Sequence, residues 1–328
     1  MRRLAVRCLV AAFAAAVLAV GGGILWAWSG YRAPGPLEEA TTLVVPKGAS
    51  VKEIADLLRD AGVIDNAHLF ILGAQYKKLA RKMRAGEFAF ASHISMRDAA
   101  ANLVSSETVK RRLTVPEGLL TAEVIALVEK ADGLVGDVPY GLPDGIYLPE
   151  TYFFNYGDTR AALLARMRTN MEKTLEEAWA ARGEDIAVKT PEEALILASI
   201  IEKETGVSAE RARVSGVFHN RLHRKMRLQS DPTVAYAVTE GRRPLGRPLT
   251  RADLYIASPY NTYVNWGLPP GPIANPGRAS LEAAVNPTNS RELYFVADGT
   301  GGHAFAKTLR EHNRNVGKWR RLQRSQKP

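Results

Sequence analysis

The sequence predicts an α+β protein in three parts: an N-terminal transmembrane helix, a small α/β module and a larger domain of mixed α and β structure. A long uncharged run near the start of the chain indicates the first part. After it, short strand-like runs alternate with amphipathic helical patterns, and 328 residues suffice for about two domains. The predicted boundaries place the anchor in residues 1–31, a linker in 32–42, the module in 43–110 and the larger domain in 111–328.

The composition excludes several classes of function. The net charge is +10, but the basic residues are spread along the chain with only a modest concentration from Lys307 to Lys327, and no nucleic-acid motif accompanies them. We therefore expect a solvated surface or affinity for an anionic polymer or membrane, and no nucleic-acid partner. Cys8 is the single cysteine, which excludes an internal disulfide and a cysteine-based metal site.

The first segment has the pattern of a membrane anchor. Arg2, Arg3 and Arg7 precede an uncharged run from Cys8 to Tyr31, which ends with two tryptophans suited to a membrane interface. The arginine bias predicts a cytoplasmic N-terminus, with the chain after about Arg32 on the other side. A cleaved signal peptide is the alternative. The run is longer than a usual signal-peptide core and no small-x-small cleavage site follows it, so we favour the anchor.

The small module is predicted as a strand, two helices, a second strand and a third helix. Its order of elements resembles the LysM-like module of peptidoglycan-binding proteins. That resemblance implies a glycan-binding role, and the alternative is a spacer without a ligand. The predicted elements are a strand before the turn at Pro46–Gly48, helices from Ser50 and over Ala67–Leu79, a strand near Gly86–Phe90 and a helix over Met96–Val104.

The larger domain alternates in the same way. Its Pro/Gly-rich stretch Leu268–Gly277 predicts a rigid loop without regular structure, and Asp298–Gly302 predicts a hairpin turn. The other predicted elements are a strand at Arg111–Val115, an amphipathic helix within PEGLLTAEVIALVEKA, an aromatic-rich segment Asp144–Tyr156 and a helix over Arg160–Arg182.

One helix of this domain carries two candidate acids near its end. Thr190 and Pro191 predict the helix start, as N-cap hydroxyl and first-turn proline, and Gly206 is the predicted stop. Glu202 and Glu204 lie roughly 200° apart around the helix axis. Glu204 therefore shares the stripe of Leu197, Ile200 and Ile201, whereas Glu202 does not.

An acid on an apolar stripe at the negative end of a helix dipole should have a raised pKa, because both effects disfavour its charged form. Such a carboxyl group holds a proton near neutral pH and can act as a general acid. The alternative is that Glu202 and Glu204 are exposed helix-end residues, paired with Lys203 or Arg211.

Four segments of the larger domain occur in a recognisable order. They read LASIIEKET, VSGVFHNRLHRKMRLQSDPTVAYAV, SPYNTYVNWGLPPGPIANPG and LYFVADGTGGHAFAKTLREHN. Together, over about residues 111–316, they resemble the MltG/YceG-like family of membrane-anchored endolytic murein transglycosylases. The anchor and the LysM-like module stand where that family has them.

The resemblance implies an enzyme that cleaves the MurNAc–GlcNAc bond within nascent peptidoglycan strands. It would leave 1,6-anhydroMurNAc ends and so terminate glycan elongation. No cofactor and no metal are implied. The implied partners are peptidoglycan glycan strands and, in the inner membrane, peptidoglycan synthases. The implied location is the bacterial inner membrane, with one membrane span, a cytoplasmic N-terminus and a periplasmic catalytic domain.

The resemblance also implies that the catalytic acid is a glutamate of the segment Glu202–Thr205. Other lytic transglycosylases place their glutamate directly before a hydroxyl residue, and Glu204 precedes Thr205. Glu204 is therefore the first candidate and Glu202 the second. The candidate substrate-binding residues come from neighbouring polar and aromatic positions: Glu150, Asn220, Gln229, Ser230, Asp231, Thr233, Tyr260, Asn261, Thr262 and Tyr263.

Each of these groups has an alternative interpretation. Asp231 as N-cap with Pro232 in the first turn explains part of the polar cluster by helix capping alone. A turn after Ser258–Pro259 explains the segment 260–263. His219 and His223 have the i, i+4 spacing of zinc ligands, but no third ligand accompanies them and the neighbouring cations repel a metal ion, so we expect no metal site.

Two other functions compete with the transglycosylase. The first is a non-enzymatic peptidoglycan-binding scaffold that acts through the LysM-like module. The second is a hydrolytic muramidase, in which Glu204 works with a second acid such as Glu150 or Asp231.

Overall fold

The computed structural model describes residues 2–105 and 107–325, with side chains from residue 6 onward. The side chains of Arg2 and Arg3, on which the predicted orientation depends, lie outside the described residues, as does Lys327. Helices and two-stranded sheets alternate, which confirms the predicted mixed α+β class. The chain forms two compact units, Met1–Arg111 with Phe154–Gly157 and Arg112–Phe153 with Asp158–Pro328.

The first unit begins with a helix that is long and apolar enough to cross a membrane. Its apolar part, Val6–Arg32, has 27 residues, and the most apolar window of 18 residues within it has a mean hydropathy of 2.4. The strands of this unit pair antiparallel, with Thr41 opposite Phe90 and Val45 opposite Gly86. The elements are α1 (Arg2–Arg32), β1 (Thr41–Val45), α2 (Val51–Asp60), α3 (Ala67–Tyr76), β2 (Gly86–Phe90) and α4 (Met96–Ser105).

The end of α1 belongs to the core of the first unit. Tyr31 is 1% exposed and lies in the same apolar cluster as Phe70, Phe88 and Phe90. Gly73 of α3 makes room for its ring, because a Cβ at residue 73 would overlap the ring atoms. The last residue of the predicted anchor is therefore buried in the core of the first unit. Whether this unit is a LysM-like module stays a prediction.

Two further strands, β3 (Lys110–Thr114) and β4 (Thr151–Asn155), pair with each other, and the boundary between the units falls within both. The remaining elements belong to the second unit. They are α5 (Thr121–Lys130), α6 (Arg160–Ala180), α7 (Pro191–Glu204), α8 (Arg211–His223), α9 (Asp231–Thr239), α10 (Arg278–Val285), β5 (Tyr294–Ala297), β6 (His303–Ala306) and α11 (Leu309–Ser325).

The core of the second unit is built around α7. The Thr190 side chain accepts a hydrogen bond from Glu193 N, as the predicted cap requires, and Pro191 opens the helix. Leu197, Ile200 and Ile201 are fully buried, and α7 packs against α6, α8, α9 and α10. Burial of each such side chain contributes about 1.5–3 kcal/mol. The helix carrying the two candidate acids is therefore held by packing on several sides.

Both predicted loops are confirmed. Residues 268–277 form no helix or strand, and Asn275 fixes this loop by donating to Leu119 O at 2.9 Å and accepting from Tyr147 N at 2.9 Å. Strands β5 and β6 form an antiparallel hairpin closed by Asp298 N donating to Gly302 O at 3.0 Å.

Several helix ends differ from the prediction by one to three residues, among them the ends of α3 at Tyr76 and of α6 at Ala180, and two differences concern the candidate acids and their neighbours. Helix α7 ends at Glu204 because Thr205 is already extended, with φ −140°, so Gly206 is not needed as a left-handed stop. Helix α9 begins at Asp231, with Ser230 in the N-cap position. The predicted capping by Asp231 is therefore wrong, because its carboxylate accepts a hydrogen bond from Tyr263 instead.

Candidate active site

Glu204 lies in a cavity of about 390 Å³ in the second unit. The cavity combines the end of α7, one arginine of α8, the segment that precedes α9, the β5–β6 hairpin and the first turn of α11. The residues lining it are Glu204, Arg221, Leu228, Gln229, Asp231, Tyr263, Tyr294, Phe295, Val296, Ala297, His303, Leu309 and His312.

The environment of Glu204 matches that of a general acid. Burial raises the pKa of this carboxyl group to about 7, and the nearby negative charge of Asp231 acts in the same direction. Two groups oppose this effect: Ser230 Oγ donates to Glu204 Oε1 at 2.5 Å, and Arg221 contributes a positive charge. The predicted rise in pKa is confirmed, and burial is its main cause.

A network of buried hydroxyls holds Ser230 in place. Its backbone N–H donates to Thr262 Oγ1 at 3.0 Å, and its carbonyl accepts from Thr233 Oγ1 at 2.7 Å. The two threonine hydroxyls are themselves 2.8 Å apart. Gln229 precedes Ser230 with φ +48°, a conformation that costs energy in a residue with a side chain. The surrounding contacts therefore hold Ser230 Oγ on the carboxylate.

Asp231 and Tyr263 form a second pair in the cavity. Tyr263 Oη donates to Asp231 Oδ1 at 2.6 Å. Burial raises the pKa of Tyr263 well above its usual range, so its hydroxyl group stays protonated and remains a donor. Of the predicted substrate residues, Gln229, Asp231 and Tyr263 line the Glu204 cavity.

Arg221 is a residue of the cavity that sequence reasoning missed as a candidate. Its Nε donates to Leu293 O at 2.7 Å, and its Nη1 donates to Leu228 O at 2.8 Å and to Gln229 Oε1 at 3.4 Å. Its guanidinium carbon lies 5.1 Å from the centre of the Tyr294 ring. One buried cation thus ties α8 to the segment before α9 and to the start of β5.

Two histidines of the cavity were also missed. His303 Nδ1 lies 2.7 Å from Glu210 Oε2, and its backbone N–H donates to Glu210 Oε1 at 2.9 Å. His312 stacks on Tyr294 at 5.2 Å, and burial lowers its pKa. No spacing along the chain relates either histidine to Glu204, because the hairpin and α11 are needed to bring them to it.

Glu202, the second candidate acid, has a different environment. Its Oε2 accepts from Gly277 N at 2.9 Å, and its Oε1 accepts from Arg211 Nη2 at 3.4 Å. Arg211 Nη2 also donates to Glu117 Oε2 at 3.2 Å. Glu202 is not among the residues lining the Glu204 cavity. Its ion pair with Arg211 agrees with the alternative interpretation, in which a helix-end glutamate pairs with a nearby cation.

The other candidate substrate residues do not line this cavity. Glu150 is exposed and precedes β4, and Asn220 donates to the carbonyls of Ser290 and Glu292, each at 2.9 Å. Tyr260 packs on Tyr236 with 4.7 Å between ring centres. Asn261 is fully buried, with its amide group bonded to the backbone of Leu254, Ile256 and Tyr263. These contacts give Asn220, Tyr260 and Asn261 structural roles.

No group of three metal-ligating side chains occurs in the described part of the chain. Of the histidine pair with zinc-like spacing, His219 is buried and both ring nitrogens are used: Nδ1 accepts from Ala187 N and Nε2 lies 2.8 Å from Ala284 O. Burial lowers the pKa of His219. This histidine therefore has a structural explanation.

The family model described as YceG-like matches residues 43–318. The chain belongs to the YceG-like family. It is 32% identical to the endolytic murein transglycosylase of Bacillus subtilis, over 90% of each chain. It is 31% identical to that of Streptococcus pneumoniae, over 84% of this chain and 57% of the pneumococcal protein. A crystal structure of a putative YceG-like protein from Listeria monocytogenes matches 84% of this chain and 99% of its own, with 30% identity and a TM-score of 0.50. The predicted family is confirmed.

In this YceG-like chain a second cavity adjoins the first. It has about 350 Å³, and Asp231 lines both. Its lining includes Tyr236, Ile273, Arg243 and Arg247. Asp231 is therefore common to two cavities of this unit.

Ser230→Ala should move the basic limb of the activity profile to higher pH. Glu204 must be protonated to act as an acid, so kcat/KM should be high below about pH 7 and fall above it. Loss of the Ser230 hydroxyl group destabilises the carboxylate and raises the pKa of Glu204 further, by roughly one pH unit for a charged hydrogen bond. The measurement is kcat/KM against pH.

Ser199→Ala is the matched control. Ser199 is buried in α7, the helix that carries Glu204. Its Oγ does not bond to Glu204, because it donates to Ile196 O and accepts from Ile273 N. The control should leave the basic limb in place. A basic limb that shifts equally in both variants, or in neither, contradicts the assignment of Ser230.

Proposed function

We propose that this chain is a lytic transglycosylase that cuts murein glycan strands internally, with Glu204 as its catalytic acid. The observation that carries the proposal is a carboxyl group with a pKa of about 7 in a cavity. All residues lining that cavity come from the four segments that resemble the family. The relatives named endolytic murein transglycosylases support the substrate class. Cleavage of the MurNAc–GlcNAc bond and termination of glycan elongation complete the proposal.

The chemistry needs one acid that changes role. Protonated Glu204 donates its proton to the glycosidic oxygen as that oxygen leaves C1 of the muramic residue. The resulting Glu204 carboxylate accepts the proton of the same sugar's C6 hydroxyl group, whose oxygen forms the new bond to C1. The product is a 1,6-anhydro ring, and the enzyme regains its proton without consuming water.

The residues around Glu204 suit both halves of this cycle. Burial keeps the carboxyl group protonated for the first half. Once the proton has left, Ser230 Oγ donates to the carboxylate and the charge of Arg221 stabilises it. The apolar side chains of Leu228, Phe295 and Val296 line the same cavity and limit access of water to C1.

An internal cut requires that sugars bind on both sides of the broken bond. The cavity of Glu204 and the cavity next to it share Asp231, which supports a strand that runs through both. Tyr236 and Tyr263 supply aromatic rings for sugar faces, and Gln229 supplies an exposed amide group.

A hydrolytic muramidase is the second candidate, because Asp231 lies in the same cavity as Glu204. A carboxylate at that position can activate water as a base. Its hydrogen bond from Tyr263 provides a structural role that competes with this one. Glu150, the other second acid considered, is exposed and does not line the cavity.

Reaction in heavy-oxygen water separates these candidates. The lyase should give products without label, one water lighter than hydrolysis products, with muramic ends that borohydride cannot reduce. Internal fragments should precede short end-cut ones. Mass analysis of products from uncross-linked glycan is the measurement. Label at the muramic C1 supports the muramidase, and binding to sacculi without any product supports the scaffold.

The location is part of the proposal. We assign α1 as a permanent anchor with a cytoplasmic N-terminus in the bacterial inner membrane, a periplasmic catalytic domain, and access to peptidoglycan synthases. Burial of Tyr31 supports retention of α1, since cleavage after this helix would remove a core side chain from the first unit. Glycan binding by the predicted LysM-like module would add to substrate capture.

A further inference from the structure

The first unit has a cationic and aromatic surface beside the C-terminal end of α1, close to the apolar run of that helix. We define the juxtamembrane face as Trp28, Leu72, Tyr76, Lys77, Lys78, Arg81 and Lys82. We propose that this face binds the headgroups of anionic phospholipids and holds the first unit against the membrane surface. The inference rests on the proposed role of α1 as a membrane anchor.

The direction of α3 along α1 is the first argument. A Cβ at Gly30 would lie 3.1 Å from Leu69, the Tyr31 ring fills the space at Gly73, and the Trp28 ring lies 5.8 Å from the Tyr76 ring. Along α3 these contacts fall in turn on residues 30, 31 and 28 of α1, so the last contact of α3 is the one nearest the apolar run. The C-terminal end of α3 therefore points toward the apolar run of α1.

The contacts of Trp28 give the level of the membrane surface. Tryptophan prefers the interface between hydrocarbon and water. The Tyr76 ring meets Trp28 edge-on at 82°, and two cations lie over the Trp28 ring, Arg32 at 4.5 Å and Lys77 at 5.1 Å. Tyr76 and Lys77 are thus at the depth of an interfacial tryptophan.

Charge and exposure are the second argument. No acidic residue occurs between Asp65 and Glu87 in the sequence. Lys77, Lys78, Arg81 and Lys82 are exposed, and none forms an ion pair with a residue that the structure describes. Phosphate groups of anionic lipids complement this charge, and each cation near such a surface contributes about fivefold in affinity.

The apolar members of the face are the third argument. Leu72 is 63% exposed and Tyr76 is 75% exposed, and both lie on one side of α3 at i, i+4 spacing. Exposed apolar side chains beside cations are typical of surfaces that lie in a membrane interface. Carboxylates of peptidoglycan can pair with the four cations, but they leave the exposed Leu72 and Tyr76 unexplained. The combination therefore favours a lipid surface.

The test uses the full chain in nanodiscs of phosphatidylcholine with a minor fraction of phosphatidylglycerol. The variant is Lys77→Gln/Lys78→Gln/Arg81→Gln/Lys82→Gln. The control, Arg310→Gln/Arg314→Gln/Lys318→Gln/Arg321→Gln, removes the same charge from exposed positions of α11. After extraction with detergent, mass spectrometry gives the ratio of the two lipids that remain bound to each protein.

The unaltered chain and the control should retain phosphatidylglycerol in preference, and the variant should lose at least about fivefold of that preference. High salt should weaken the preference in the same way. An equal loss in the control, or no loss in the variant, overturns the proposal. Loss of binding to sacculi with lipid retention unchanged also overturns it and assigns the face to glycan.

A second measurement does not depend on folding of the variant. Backbone amides of residues 76–84 in the unaltered chain should exchange hydrogen more slowly in discs with phosphatidylglycerol than in discs of phosphatidylcholine alone. Equal exchange in the two discs overturns the proposal even where the variant misfolds. A chain that does not enter discs at all contradicts the anchor itself, which is a separate and distinguishable failure.

Discussion

Glu204→Gln should reduce turnover by about 10²–10⁴-fold, the usual contribution of a general acid, while sugar binding persists. The amide keeps the shape of the side chain and its carbonyl oxygen still accepts from Ser230 Oγ, but it has no proton to give to the leaving oxygen. The measurements are product formation from uncross-linked glycan and, separately, affinity for a glycan fragment.

The control is Glu202→Gln, two residues earlier in the same helix. Its amide oxygen can still accept from Gly277 N, and Arg211 keeps Glu117 as a partner. This variant should retain much of the activity. The reversed result, with Glu202 essential and Glu204 dispensable, would show that the wrong acid has been chosen.

Glu204→Gln should also change the pH dependence of stability. The pKa of Glu204 is about 7 in the folded chain and 4.5 in the unfolded one, so the folded state holds the proton more tightly. The contribution of Glu204 to stability is therefore greatest below about pH 4.5, falls as pH rises toward 7, and levels off above that. At pH 8 the neutral variant should be the more stable protein, by an amount on the order of 1–3 kcal/mol. Urea unfolding at pH 5 and pH 8 measures the difference.

The helix of the catalytic acid could be predicted because its signals are local. Thr190 and Pro191 act on the backbone next to them, and a stripe of three apolar residues is read directly from helical spacing. The different environments of Glu202 and Glu204 follow from that spacing as well. Burial of Glu204 then raises its pKa as the apolar stripe predicts.

The remaining wall of the site could not be predicted in the same way. Tyr294, His303 and His312 reach the cavity through the pairing of β5 with β6 and the packing of α11 against them. No spacing along the chain encodes those contacts. Arg221 stood in the sequence as one of several cations near two histidines, and only its three-dimensional contacts distinguish it from Arg224.

The roles of the polar residues near the acid do not follow from the sequence, because an amide or hydroxyl group can bond to the backbone as readily as to a sugar. Asn220 and Asn261 have backbone partners, whereas Gln229 is exposed to the cavity. Ser230 has a third role, since its hydroxyl group is bonded to Glu204 itself. The sequence motif brings these residues together without showing which of them face the ligand.

Arg221→Met should lower both the free energy of unfolding and the activity. Among residues that do not donate the catalytic proton, we expect the largest effect from this one. The change leaves the carbonyls of Leu293 and Leu228 without their donor, a loss of about 1–3 kcal/mol for each unsatisfied acceptor. Urea unfolding measures this loss. Gln229, which accepts from Arg221, should become more mobile, and with it the segment that carries Ser230.

A purely structural role for Arg221 would leave the pH profile of the folded fraction unchanged. We expect a change, because the charge of Arg221 lowers the pKa of Glu204 in the intact site. Without it the carboxylate is less stable, the pKa rises, and the basic limb of kcat/KM moves to higher pH. Arg224→Met is the matched control: Arg224 follows the same helix, is exposed and does not line the cavity. It should alter neither the free energy of unfolding nor the profile. If Arg221→Met unfolds at a lower urea concentration but its basic limb is unshifted, then Arg221 has a structural role only.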